Sequence, residues 1–160
     1  MQFEKVKKYI LGRLKKELTK NLTYHSLEHI KDVYAAAEQL ASLEKISEDE
    51  KQLLLTAVLF HDSGFLYSQK DHEKLSCELA RLHLPEFDYG PEQIEQICGM
   101  IMATQIPQNP KNKLEEIICD ADLDYLGRED FFKIGDKLFG ELVMYGIIDD
   151  EHEWNKLQVR

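Results

Sequence analysis

Apolar residues recur along the chain at helical spacing, and no stretch shows the strict alternation of a half-buried strand. Phe3, Val6, Ile10, Leu14 and Leu18 form one stripe of a first helix. Past a polar break, Ile30, Val33, Ala37 and Leu40 repeat the pattern. Ser47 with Glu50 has the form of a capping box, and Leu53 to Phe60 is apolar nearly all round, which predicts a central buried helix. Gly64 interrupts after it. A helix from His72 to Leu84 is expected to stop at Pro85, and Pro91 suits the first turn of a helix over Ile94 to Met102. Pro107 to Lys113 reads as a loop. Leu114 to Leu126 follows, with Gly127 as its end, and Phe131 to Tyr145 and Glu151 to Leu157 close the pattern. The expectation is one all-α domain over residues 1–160, a bundle of about seven helices without repeats or low-complexity linkers. Trp154 and Leu157 open a last apolar stripe that the sequence does not extend.

Composition narrows the functional classes. With 160 residues, 43% hydrophobic and 31% charged, the chain can build one core and does not have a disordered composition. Its net charge of −10 repels phosphate backbones and anionic lipid, so neither nucleic acid nor a membrane surface is an expected partner. A small anionic substrate remains compatible, because a bound cation reverses the field locally. No run approaches the ~18 apolar residues of a membrane span. Met1 to Lys20 carries charges throughout, unlike a signal peptide, so a cytoplasmic location is expected. Cys77, Cys98 and Cys119 are odd in number and form no CxxC pair, which fits buried packing in a reducing compartment. His83 and His152 are expected at the surface, and Tyr67 in the core.

Three short motifs carry the candidate chemistry: Tyr24-His25-Ser26-Leu27-Glu28-His29, His61-Asp62, and Asp120-Ala121-Asp122-Leu123-Asp124. His25 and His29, four apart, would share one face of a helix. His61-Asp62 ends the most apolar helix, where an isolated imidazole and carboxylate are costly to desolvate. Each motif alone has a bland explanation: a His-Asp dipeptide is common, and adjacent aspartates are usually solvated. Together, beside buried helices, two histidines and two aspartates make a sensible cage for a divalent cation.

In this order the motifs resemble the HD-domain superfamily of metal-dependent phosphohydrolases. The chain supplies His29, His61-Asp62 and Asp122 in the family's sequence of ligands. Phe60-His61-Asp62-Ser63-Gly64-Phe65, His72-Glu73 with Ser76, Ala103-Thr104, and Leu126-Gly127-Arg128 are similar to a group of small bacterial members. The resemblance runs over about 23–154; members of that group often continue further, so the C-terminus is a departure.

The resemblance implies an HD-type helical bundle with His29, His61, Asp62 and Asp122 as metal ligands. Asp62 would be the bridge if two ions bind. It implies Asp120 as a partner orienting a ligand or water, and His25 as general acid, with a fifth ligand as the alternative. Glu73 would hold water or a ligand, His72 would assist or stand exposed, and Lys70 and Arg128 would bind phosphate or remain solvated surface charges. The implied cofactor is one or two divalent ions among Mn, Mg, Fe, Co and Ni. The implied reaction is hydrolysis of a phosphate ester or anhydride, such as a nucleotide, by metal-activated water. Two alternatives stay open: a di-iron oxygenase, which wants more histidines, and a nucleotide- or metal-sensing module without turnover. Oligomeric state and exact substrate are not encoded in these motifs.

Overall fold

The apolar run Leu53 to Phe60 is buried on every side and forms the inner part of α3 (Glu48–Phe60). The Ser47/Glu50 capping box opens that helix, each side chain bonding the other residue's backbone N–H. The computed structural model describes residues 1–158. Around α3 pack α1 (Phe3–Glu17), α2 (Leu27–Leu43), α4 (His72–His83), α5 (Pro91–Ala103) and α6 (Lys113–Asp122). Then follow α7 (Phe131–Met144) and α8 (Glu151–Gln158). The described residues hold eight α-helices, three short 3-10 helices and no strand. The chain is all-α, as the periodicity predicts.

Local chemistry sets most boundaries. Val6, Ile10 and Leu14 carry the buried stripe of α1, while Phe3 and Leu18 are only half-buried against it. Ser26 caps α2, so that helix begins at Leu27 and not at Ile30. The expected helix Leu114 to Leu126 instead ends at Asp122, and Asp124–Gly127 tightens into a 3-10 turn. Pro85 likewise lies in a 3-10 turn, Leu84–Phe87. All three cysteines are free and buried. Tyr67 departs from expectation: it is exposed and accepts a hydrogen bond from Arg13. His152 is exposed, whereas His83 is half-buried beside Tyr9 and Arg13. None of the described helices is long and apolar enough to cross a membrane.

Candidate metal centre

Three helix ends meet at one point. His29 lies in the first turn of α2, His61 caps the C-terminus of α3, and Asp122 is the last residue of α6. Asp62 follows His61 directly, with φ −102° and ψ 6°, in the sparsely allowed region common at active sites. The 3-10 turn Ser63–Leu66 begins there and is tied to α4: Ser76 Oγ donates to the His61 carbonyl at 2.7 Å and accepts from Gly64 N–H at 2.8 Å.

His29 Nε2 lies 3.1 Å from Asp122 Oδ1 and 3.6 Å from Asp62 Oδ2. His61 Nε2 lies 3.3 Å from Asp62 Oδ2 and 3.5 Å from Asp122 Oδ1. Two ligands bound to one ion at ~2.0–2.2 Å sit about 3.0–3.5 Å apart, so these distances match the edges of a coordination polyhedron. One atom each from His29, His61 and Asp122 fall within 4.8 Å of one another.

The proton positions make the case sharper. His61 Nδ1 bonds the Val58 carbonyl at 2.7 Å, and a carbonyl only accepts, so Nδ1 carries the hydrogen. In neutral His61 the Nε2 lone pair therefore faces two carboxylate oxygens. His61 Nε2 and Asp62 Oδ2 are both buried without a hydrogen-bond partner. Orphaned acceptors that converge in a dry site need a cation between them, either a proton or a metal. Without a metal, burial pushes the His61 imidazole down, but Asp62 and Asp122 outweigh it and raise its pKa. Burial pushes the Asp62 and Asp122 carboxyls up, and the facing histidines outweigh this, holding both well below the usual range. The donor set fits a divalent ion.

The other Asp62 oxygen points to a second group. Oδ1 lies 3.5 Å from His72 Nε2, which is 3.4 Å from Glu73 Oε1 at the start of α4. His72 Nδ1 faces the Gln69 carbonyl at 3.2 Å, so here too a neutral imidazole turns its Nε2 lone pair toward carboxylates. Asp62 thus faces His29 and His61 with one oxygen and His72 with the other, and His72 in turn reaches Glu73.

His25 is not on α2. It precedes the Ser26 cap, so the expected shared helical face does not exist, and a bend brings its ring 6.1 Å from that of His29. The ring stacks on Phe65 at 4.2 Å, and Phe65 packs against His72 at 4.1 Å. His25 Nδ1 bonds Glu141 of α7, a residue the sequence motifs do not include. Burial lowers the His25 pKa, but Glu141, Asp62 and Asp122 outweigh it and raise it. Burial raises that of Glu141, outweighed by His25 and by the backbone N–H groups of Tyr24 and His25. One signal for Glu141 was present in the sequence: a lone carboxylate on the stripe Ile134, Leu138, Glu141, Tyr145.

Asp120 is exposed on α6, and Lys70 is exposed in the loop before α4. Arg128 is gripped by Asp130 through two bonds of 2.9 Å and by Asp32 at 2.9 Å. It lines a cavity of about 230 Å³ that also touches His29 and Tyr24, together with Lys133 and Lys137.

The family model of the HD domain matches residues 25–124. No curated protein and no solved structure matches the chain. The matched span holds His29, His61, Asp62, His72, Glu73 and Asp122 and stops short of α7.

Proposed function

This chain belongs to the HD-domain family of metal-dependent phosphohydrolases, and from that premise we propose that it hydrolyses a small phosphate ester or anhydride, of the nucleotide class. The observation that carries the reading is the convergence of His29, His61 and Asp122, with Asp62 Oδ2 beside both histidines and two buried acceptor atoms left unpartnered. His29, His61, Asp62 and Asp122 would hold a divalent ion, which when bound would neutralise charge on a phosphoryl oxygen and lower the pKa of a water from ~15.7 toward ~7.

The chain's own residues do the rest. Asp62, His61 and the backbone anchored by Ser76 fix the donors before substrate arrives, so little reorganisation remains for the reaction itself. His72 and Glu73 stand on the far side of Asp62 and, in this reading, would hold a second ion or an ordered water. His25, supported by Glu141, is the acid for the leaving oxygen. The cavity beside His29 takes the part of the substrate beyond the phosphate. Its volume lies below the ~300–1,000 Å³ of drug-sized ligand sites, which favours a small molecule. Lys133 is at hand there for an anionic group, whereas Arg128 is already paired with Asp130 and Asp32.

A phosphate-release screen over nucleoside monophosphates, cyclic nucleotides and dinucleoside phosphates tests this, with Mn, Mg, Fe, Co and Ni added singly. Metal-dependent release, abolished by chelator, is the expected result. Tight nucleotide binding without release from any compound would replace hydrolysis by sensing. Because His72 adds an imidazole beside Asp62, the iron arm is run with and without oxygen; oxygen-dependent turnover would mark an oxygenase.

A further inference from the structure

Glu141 is 2% exposed, on a helix whose other buried residue is Gly135. A carboxylate so placed must spend its lone pairs on donors, and all the hydrogen bonds it makes go to one short segment. Oε2 accepts the backbone N–H of Tyr24 at 2.8 Å and of His25 at 3.1 Å, while Oε1 takes the His25 ring at Nδ1. Anchoring the segment before α2 requires only the first oxygen. The second is aimed at the imidazole.

We propose that Glu141 is a positioning residue, which fixes the hydrogen of His25 on Nδ1 and leaves Nε2 as the nitrogen that meets the substrate. An ionised carboxylate only accepts, so its partner Nδ1 must carry the proton. The ring is then held on one edge by Glu141 and on one face by Phe65. Its position 6.1 Å from the His29 ring and 6.0 Å from the His72 ring is set by α7, outside the matched span of residues 25–124. The segment's other tie to α7 is the Thr23 hydroxyl, donated to the Lys137 carbonyl at 3.0 Å.

This inference rests on the phosphohydrolase reading for its chemical consequence. As the phosphorus–oxygen bond to the leaving group breaks, the electron pair goes to that oxygen, which takes the proton from Nε2 of the imidazolium. His25 is left neutral, with Nδ1–H still on Glu141. The water that forms the new bond to phosphorus gives up one proton, which restores the imidazolium. Glutamine at 141 keeps an oxygen for the two backbone N–H groups but turns an NH₂ to the ring. It therefore favours hydrogen on Nε2 and cannot support the charged form.

The experiment is ¹⁵N NMR of the full chain, metal-free and labelled at histidine, followed by kinetics of the wild type, Glu141→Gln, His25→Ala and the double variant. At a pH above its titration, where the ring is neutral, the wild type should show the His25 hydrogen on Nδ1, and Glu141→Gln should move it to Nε2. On an alkyl phosphate, Glu141→Gln should lose on the order of 10²-fold in rate, with a much smaller loss on a nitrophenyl phosphate, whose leaving group needs no proton. In the His25→Ala background the substitution should add nothing. An Nε2–H tautomer in the wild type, equal losses on both esters, or full additivity with His25→Ala would each overturn the proposal. A wild type that cleaves neither ester overturns the phosphohydrolase reading instead, and the tautomer alone then decides the role of Glu141.

Discussion

In the proposed function a divalent ion would compete with a proton for the one lone pair of His61 Nε2. The imidazole pKa stands above its ordinary 6.5, so its protonated form contributes stability below that value, lost as pH rises through the raised one. Asp62 and Asp122 are shifted downward, so their contribution is present above the usual carboxylate range and is lost only in strong acid. The metal-free protein should therefore be most stable in mild acid and weaken toward alkaline pH. A metal replaces the proton, so saturating manganese should raise the melting temperature more at pH 8 than at pH 6 in calorimetry. Equal increments at both values would mean that His61 does not bind the ion. The two aspartates of the Asp-Ala-Asp motif separate at the same scale. Asp122→Asn should empty the site by metal analysis, because it removes a converging oxygen. Asp120→Asn, on the exposed face of α6, should retain metal and lose at most ~10-fold in rate. The reverse order would move the ligand two residues upstream.

Among the elements, the 3-10 turn after His61 shows how a short segment aims a site. A Cβ on Gly64 would lie 2.0 Å from the His72 carbonyl oxygen, so only glycine lets the turn approach the start of α4. That approach puts Phe65 against His72 and both near Asp62. Gly64→Ala should cost about 1–3 kcal/mol in urea unfolding and weaken metal affinity, since backbone must yield. Wild-type affinity in a folded variant would show that α4 is not part of the ion site. Much of this scale is legible in the sequence, because α1 to α6 follow runs of apolar residues, with side-chain caps at Ser26, Ser47 and Asn112, all local properties. Spacing alone misplaces His25 for a physical reason: a four-residue interval implies a shared helical face only if nothing caps the helix in between, and Ser26 does. Glu141 stands out locally only as a lone carboxylate on an apolar stripe, and that pattern does not say what it touches. Its partners lie more than a hundred residues earlier, and only packing of α7 on the segment before α2 reveals them.

Across the whole molecule, charge works against the proposed substrate until the last few ångströms. The chain carries −10, and the cavity beside His29 sets Arg128, Lys133 and Lys137 against Glu28, Asp32 and Asp130, so its own side chains offer little net attraction. The long-range field is therefore that of the acidic surface, and the bound ion acts only at contact. At ~0.01 M salt the Debye length is about 30 Å and an approaching dianion feels most of that surface; at ~0.15 M it is about 8 Å and feels little. Salt should thus speed association, the opposite of an enzyme that steers its substrate in. With metal saturating, kcat/KM on a dianionic phosphate ester should rise roughly threefold to tenfold over that range, through KM and not kcat. The neutral leaving-group product, added as inhibitor, should bind equally well at both salt concentrations. A kcat/KM that falls as salt is added would show that Lys133, Lys137 and the bound ion project a positive field beyond the cavity mouth, and that the acidic surface is arranged away from it.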